Sequence, residues 1–384
     1  MLAMESPRYT INNLGVERVL AVDGREYRTH YSERVIRMLI ERKGIDRTPP
    51  YFSFKENRGR HFLGPLFEFF ASRGIADLKV LEVGCSFGHI TEYLNEQVSV
   101  SEIHTFDVDR AFAEITRAQV EDLGLTKVKE VRHLTTEETC RLPFSDGAFD
   151  LVLAIGVVEH LPFENRQVYV DDYYRTLKVG GFVGFFDTPN RFFPFETHSV
   201  GLPLVQWLPP ELAFMYAKAL GKMKGASFSD FTRPGTAWRN ASYYECLPKS
   251  RMIDLVDLTE DIGYGYRFFK RHVRSRKGKA ALPALAVCRA LAGWLDVPPS
   301  LFLPYLNLVF RKKHDYEAKE ERAGAGAKGH PCRRGQGLAV SRAQAVYTAL
   351  SPAFSAFSAS PAPGRTRAVG CRPGPPWTLP ASEA

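Results

Sequence analysis

The stretch Lys79-Val-Leu-Glu-Val-Gly-Cys-Ser-Phe-Gly-His-Ile-Thr91 constrains this chain more than any other. Val80 to Val83 is a short apolar run broken only by Glu82, and small residues crowd the turn behind it. Beyond the turn Ile90, Tyr93 and Leu94 recur at helical spacing, so the unit reads strand, tight turn, helix. Glycines allow such a turn left-handed backbone, and the helix start that follows offers unpaired N–H groups to a ligand. A dinucleotide fingerprint asks for small residues at the first, third and sixth places. Here they are Gly84, Ser86 and Gly88, the first, third and fifth, and the sixth place is His89.

The chain then alternates as an α/β fold does. Ile103–Asp109 reads as a second strand, Ala111–Leu123 as its helix and Lys127–Val131 as a third strand. Phe149–Gly156 is a fourth, apolar enough to be buried on both faces. A helix over Asn165–Leu177 ends at Lys178-Val-Gly-Gly181, and Gly181–Asp187 is a fifth strand. The pattern predicts a doubly wound sheet whose ligands sit beyond the carboxyl ends of its strands. Gly84, Asp107, Gly156–His160 and Asp187–Arg191 all fall at such ends.

The 1-3-5 spacing, with Glu82 two residues before Gly84, resembles motif I of the class I S-adenosylmethionine (SAM) dependent methyltransferases, with Ser86 replacing the usual middle glycine. Leu142-Pro-Phe-Ser-Asp-Gly-Ala-Phe-Asp-Leu-Val152, followed by Gly156-Val-Val-Glu-His-Leu161, resembles the small-molecule branch that includes ubiquinone and menaquinone methyltransferases. The stretch after the fifth strand, from Thr188 to Pro210, is similar to surface-glycan and secondary-metabolite methyltransferases. The resemblance covers roughly Asp77 to Asn190 and implies a seven-stranded Rossmann-like sheet binding SAM. It assigns cofactor contacts to Glu82, Gly84, Ser86, Gly88, Asp107, Glu138 and Gly156. Asp107 would take the ribose hydroxyls, and Glu138, with Glu137 adjacent, the adenine amino group. Asp109 suits a helix cap instead. His160 would lie beside the methionine part, as a base or as a positioning group of its loop.

The remainder divides by composition. Residues 1–76 form an N-terminal cap segment, with a helix near Ser32–Arg42 and a second from Glu56 to Arg73 that kinks or restarts at Gly64-Pro65. Such helices either cover a cofactor or cap the sheet. The SAM-binding core is 77–190. Residues 191–246 exceed an ordinary connection and read as an acceptor lid, with a helix from Glu211 to about Lys222. Trp207, Phe193, Phe195 and Trp238 either line an acceptor pocket or form the lid's own core. Glu196 and His198 stand where an acceptor hydroxyl would be deprotonated, His198 as the base or as an anchor of the lid. Within 247–313 we expect a helix over Ser250–Ile262, a sixth strand over Tyr264–Lys270 and a seventh over Leu306–Phe310. The insertion 271–303 runs basic then apolar, which suits either peripheral contact with a membrane or a helical pair packed on the domain. Residues 314–384 are low in complexity, and their composition predicts disorder.

Charge and cysteines narrow the function. Of the formal +8, +6 falls from Lys312 onward, so the folded part is nearly neutral. With no Asn/Asp-Pro-Pro-Tyr tetrapeptide or cysteine after the fourth strand, this argues against a nucleic-acid substrate. Six scattered cysteines, with no CxxC pair and no metal-like cluster, suit a reducing compartment. The N-terminus lacks a basic-then-apolar leader, so a cytoplasmic protein is expected, either free or peripheral at a membrane in the sense above. The expected function is methyl transfer from SAM, most often to oxygen, on a small-molecule, glycan or lipid-linked acceptor. The alternative is a SAM-fold protein that binds without catalysis.

Overall fold

A computed structural model describes residues 9–315 apart from 197, 234, 237–238, 250–252 and 276–281. The low-complexity segment from 316 onward and Trp238 therefore lie outside the described residues. Three strands open the chain: β1 (Tyr9–Leu14), β2 (Glu17–Val22) and β3 (Arg25–Thr29). They form an antiparallel meander, joined through turns at Gly15 and Gly24, both at positive φ. The sequence reading missed this sheet because Glu, Arg and Asn interrupt the apolar alternation of an exposed strand. Helix α1 (Glu33–Lys43) follows, its N-terminus capped by Ser32 Oγ, which accepts from Val35 N. A π-helical run, Lys55–Leu63, gives way to α2 (Gly64–Ser72) at Gly64-Pro65, the expected restart.

The alternating core comprises β4 (Leu78–Val83), α3 (His89–Glu96), β5 (Val100–Asp107), α4 (Arg110–Leu123), β6 (Val128–His133) and β7 (Phe149–Ile155). It continues through α5 (Arg166–Thr176) and β8 (Leu177–Pro189). Next come α6 (Pro210–Ala219), α7 (Phe228–Phe231), β9 (Ile253–Asp257), α8 (Thr259–Ile262), α9 (Tyr266–Ser275), α10 (Leu282–Leu295) and β10 (Tyr305–Asp315). The large sheet has seven strands in the order β6-β5-β4-β7-β8-β10-β9. β4, β5 and β6 pair in parallel, whereas β10 runs antiparallel to both β8 and β9. Among the described residues no helix is long and apolar enough to cross a membrane.

Two expectations are corrected. Ser250–Ile262 is not one helix: Ile253–Asp257 is edge strand β9, paired with β10 from Phe310↔Asp257 to Asp315↔Ile253, and only Thr259–Ile262 is helical. The open edge of β10 supplies backbone partners that outweigh the helical spacing of the apolar residues, and Asp257 Oδ1 then accepts from Thr259 N at 2.9 Å. Tyr264–Lys270 is not a strand. Gly263 and Gly265 take positive φ, Glu260 Oε1 accepts from Tyr266 N at 3.0 Å, and α9 begins. A strand would point Phe268 and Phe269 to opposite faces, whereas the helix buries both.

The chain divides into two compact units. The first holds residues to Glu138 with Phe149–Val152, and the second holds Thr139–Ala148 with the chain from Leu153. In the first, Leu20, Tyr31, Val35, Ile36 and Leu39 pack with Phe87, Phe112, Ile115 and Ala118. Lys55 Nζ donates to Glu92 and Glu96, fastening the π-helical run to α3. In the second, Arg175 donates to Leu142 O and Phe144 O while Asp172 accepts from Leu142 N. That pair holds the Leu-Pro-Phe loop in place.

Candidate functional site

The first unit carries the turn that the sequence singled out. β4 ends at Val83, and Gly84, Ser86 and Gly88 follow with φ of 75°, 49° and 75°. Gly84 N and Cys85 N both donate to Phe106 O at 3.0 Å, which draws the turn against the end of β5. Gly88 takes a φ of 75° that strains any side chain, and a Cβ there would stand 2.1 Å from Gln119 Oε1, which would have to move. Asp107, the last residue of β5, accepts from Ser86 N and from Asp109 N, each at 2.8 Å. Burial pushes its carboxyl up to about 6, against those amides. Each oxygen keeps a further lone pair for a ligand hydroxyl. Asp109 does what a cap does, accepting from Ala111 N and pairing with Arg42.

Glu82 lies beneath the turn, where its Oε2 accepts from Thr91 Oγ1 at 2.5 Å. Burial raises its carboxyl to about 8, so at neutral pH it is largely protonated. Glu138 is exposed and its carboxylate accepts from Thr135 N at 2.7 Å, within its own loop. That amide, with the Thr135 hydroxyl, holds it below the usual carboxylate range.

Three further groups in this unit escaped the sequence reading. His89 opens α3, is buried, and has an Nδ1 without a hydrogen-bond partner; burial lowers its imidazole to about 3. Both amide atoms of buried Gln119 also lack a partner beside Gly88. Lys43 Nζ lies 5.1 Å from the ring centres of Phe87 and Phe112 and 5.9 Å from that of Tyr51. Burial, then the neighbouring Arg42, lowers its ammonium to about 8. The Tyr51 ring is 4.2 Å from that of Phe87, so the N-terminal segment packs on the turn itself. Only the juxtaposition of α1, α3 and α4 reveals these groups, since nothing in their spacing marks them.

The second unit carries the other candidates. Gly156 follows β7 with φ 63° and donates to Phe186 O at 2.8 Å. His160 closes the 3-10 turn Val158–His160. Gly235 N donates to Glu159 O at 3.0 Å, and a Cβ at Gly235 would stand 2.5 Å from His160 Cε1. The imidazole is thus covered by the segment after α7. Glu196 is buried and accepts from His198 N, Ser199 N, Val200 N and Gly201 N at 2.6, 2.8, 2.7 and 3.0 Å. Four amides saturate a carboxylate, so Glu196 organises the loop that carries His198. His198 is half-buried, and its backbone N–H is tied to Glu196 Oε1. The lid segment has its own core of Val200, Leu202, Val205, Ala213, Ala217 and Phe231. Trp207 Nε1 donates to Arg191 O at 2.6 Å, Phe193 is half-buried, and Phe195 is exposed.

The seven-stranded sheet is what the resemblance implied; its order is β6-β5-β4-β7-β8-β10-β9, with antiparallel β10 next to the edge rather than at it. Residues 81–183 match the family described as methyltransferase domain. The sheet has the Rossmann-like fold of the class I methyltransferases. The chain is similar to a phosphatidylethanolamine N-methyltransferase of Cereibacter sphaeroides, 33% identical over 27% of this chain and 47% of that protein. It is also similar to a ubiquinone biosynthesis O-methyltransferase of Pseudomonas savastanoi pv. phaseolicola, 31% identical over 31% of this chain and 47% of the relative. The chain therefore spans less than half the length of these relatives. A SAM-dependent methyltransferase structure from Aquifex aeolicus aligns at 20% identity over 43% of this chain and 86% of its own, with a TM-score of 0.30. The fold assignment rests on the strand order. The turn thus combines left-handed backbone at Gly84, Ser86 and Gly88 with an acidic acceptor beside it.

Proposed function

We propose that the protein transfers a methyl group from SAM to an oxygen of a small-molecule, glycan or lipid-linked acceptor. The observation that carries this reading is the bond between Asp107 and Ser86 N, which locks an acidic acceptor to the glycine turn. Asp107 receives the ribose hydroxyls, while Gly84, Ser86 and Gly88 bring bare backbone to the cofactor. Glu82 supports that turn from below, Glu138 faces the adenine, and Gly156 borders the methionine portion. When bound, SAM supplies an electrophilic methyl on a sulfonium, which an acceptor attacks in line. An acceptor hydroxyl must lose a proton as it attacks, and His198 is the proposed base, with His160 next. The relatives named above, one an N- and one an O-methyltransferase, support an acceptor of small-molecule or lipid type.

The proposed location is the cytoplasm, with peripheral membrane contact through 271–303. Support for a reducing compartment comes from Cys85, Cys246 and Cys288, which are free thiols. Calorimetry with SAM and S-adenosylhomocysteine tests the cofactor assignment. Asp107→Ala should weaken binding by about 1.5–3 kcal/mol, and Gly84→Val should abolish it, since a branched residue resists positive φ. Unchanged affinity in both variants would sink the assignment. Methyl-labelled SAM with fractionated cell extract then tests transfer. Label in a glycan, lipid or small-molecule fraction names the acceptor class, and binding without any label transfer leaves a non-catalytic SAM-fold protein.

A further inference from the structure

Two successive helices carry features that the methyl-transfer reading does not use. Between Asp261 and Asp296 the chain has eight Lys and Arg and no Asp or Glu. α9 buries Phe268 and Phe269 and turns Arg267 and Arg271 outward. α10 buries Leu285, Cys288 and Ala292 yet leaves Val287, Leu291 and Trp294 57%, 42% and 80% exposed. These three are four and three residues apart and so lie along one side of the helix. The Arg289 guanidinium stands 5.1 Å from the centre of the Tyr266 ring, linking α10 to α9. A helix facing only water would carry charge where Trp294 stands, and one facing a protein core would bury it.

We propose that α9 and α10 form a docking face for an anionic lipid bilayer. Trp294, Leu291 and Val287 enter the boundary between headgroups and acyl chains, where an indole satisfies both its apolar face and its N–H. Arg267, Lys270 and Arg271 meet the anionic headgroups. Charge complementarity selects this occupant. An exposed apolar stripe alone suits a second copy of the chain, and a basic run alone suits nucleic acid. The two together, on successive helices in contact, suit an anionic bilayer. This deepens the membrane contact proposed above by naming its face and the charge of the lipid.

Vesicle flotation with the full chain tests it, using phosphatidylcholine alone and phosphatidylcholine mixed with phosphatidylglycerol. The mixed vesicles should bind, with neutral vesicles at least about tenfold weaker. Arg267→Glu with Lys270→Glu and Arg271→Glu should weaken binding about 100-fold, and raising the salt should do likewise in the parent. Leu291→Ser with Trp294→Ser should weaken it about tenfold. Tryptophan emission should shift to shorter wavelength on binding, and most of that shift should vanish with Trp294→Phe. Melting curves establish that each variant folds. SAM calorimetry is a separate readout, so failure of the cofactor assignment leaves the vesicle result interpretable. No binding at low salt overturns the proposal, as does equal binding by every variant. A concentration-dependent dimer lost in the Leu291/Trp294 variant, without vesicle binding, gives the face to a second copy instead. Duplex DNA binding lost on charge reversal, without vesicle binding, gives it to nucleic acid.

Discussion

Asp107 shows how much a single carboxyl depends on its surroundings. The backbone amides of Asp109, Ser86 and Val108 favour its charged form, yet burial wins and holds it near 6. If ribose hydroxyls donate to it, the ionised form binds SAM better. Affinity should then tighten about tenfold between pH 5 and pH 7, as the carboxyl ionises, and stay flat in Asp107→Asn. Calorimetry across that range checks it, and a flat parent profile would remove Asp107 from the ribose site. His198 is the matching test on the acceptor side. His198→Ala should leave SAM affinity within about twofold and lower turnover by about 10²–10⁴-fold, with the rise of rate with pH flattened. An unchanged pH profile at saturating acceptor passes the role to His160.

At the scale of elements, the loop 196–201 is built around one carboxylate. Removing it in Glu196→Ala leaves four amides seeking water, and we expect a loss of about 1–3 kcal/mol, read as a lower melting temperature. The acceptor KM should rise with it, while SAM affinity, set chiefly by Asp107 and the Gly84–Gly88 turn, should hold. His198→Ala leaves those amides satisfied and should change melting far less. Equal melting losses in the two variants would contradict the carboxylate's organising part. The segment after α7 depends on a comparable detail: Gly235 sits at φ 79° against His160, so even alanine there must displace the imidazole.

Across the whole molecule, stability should respond to the buried carboxyl of Glu82. Its folded value is about 8 against an ordinary 4.5, so the folded state binds the extra proton between those limits. The contribution is full below about 4.5 and disappears as pH rises through about 8. The parent should therefore melt progressively lower from pH 5 to pH 9, and Glu82→Gln, which stays neutral, should melt with a shallower slope. Parallel slopes would show that other groups govern the pH dependence.

Local pattern determined the centre of this protein. Strands β4, β5 and β7, helices α4 and α5 and the Gly84–Gly88 turn are legible because buried strands and glycine-dependent turns leave few choices of residue type. The cap at Asp109 was legible for the same reason, being a contact between near neighbours. Tertiary structure alone decided the rest. β9 is a strand because β10 offers an open edge, and α9 is a helix because two adjacent phenylalanines must both be buried. Glu196 looked like a candidate for proton transfer until its four amide partners appeared. Lys43, His89 and Gln119 join the site only when three helices meet. Spacing along a chain encodes contacts within one turn or one strand pair, whereas burial and long-range hydrogen bonds are set by whatever the fold brings alongside.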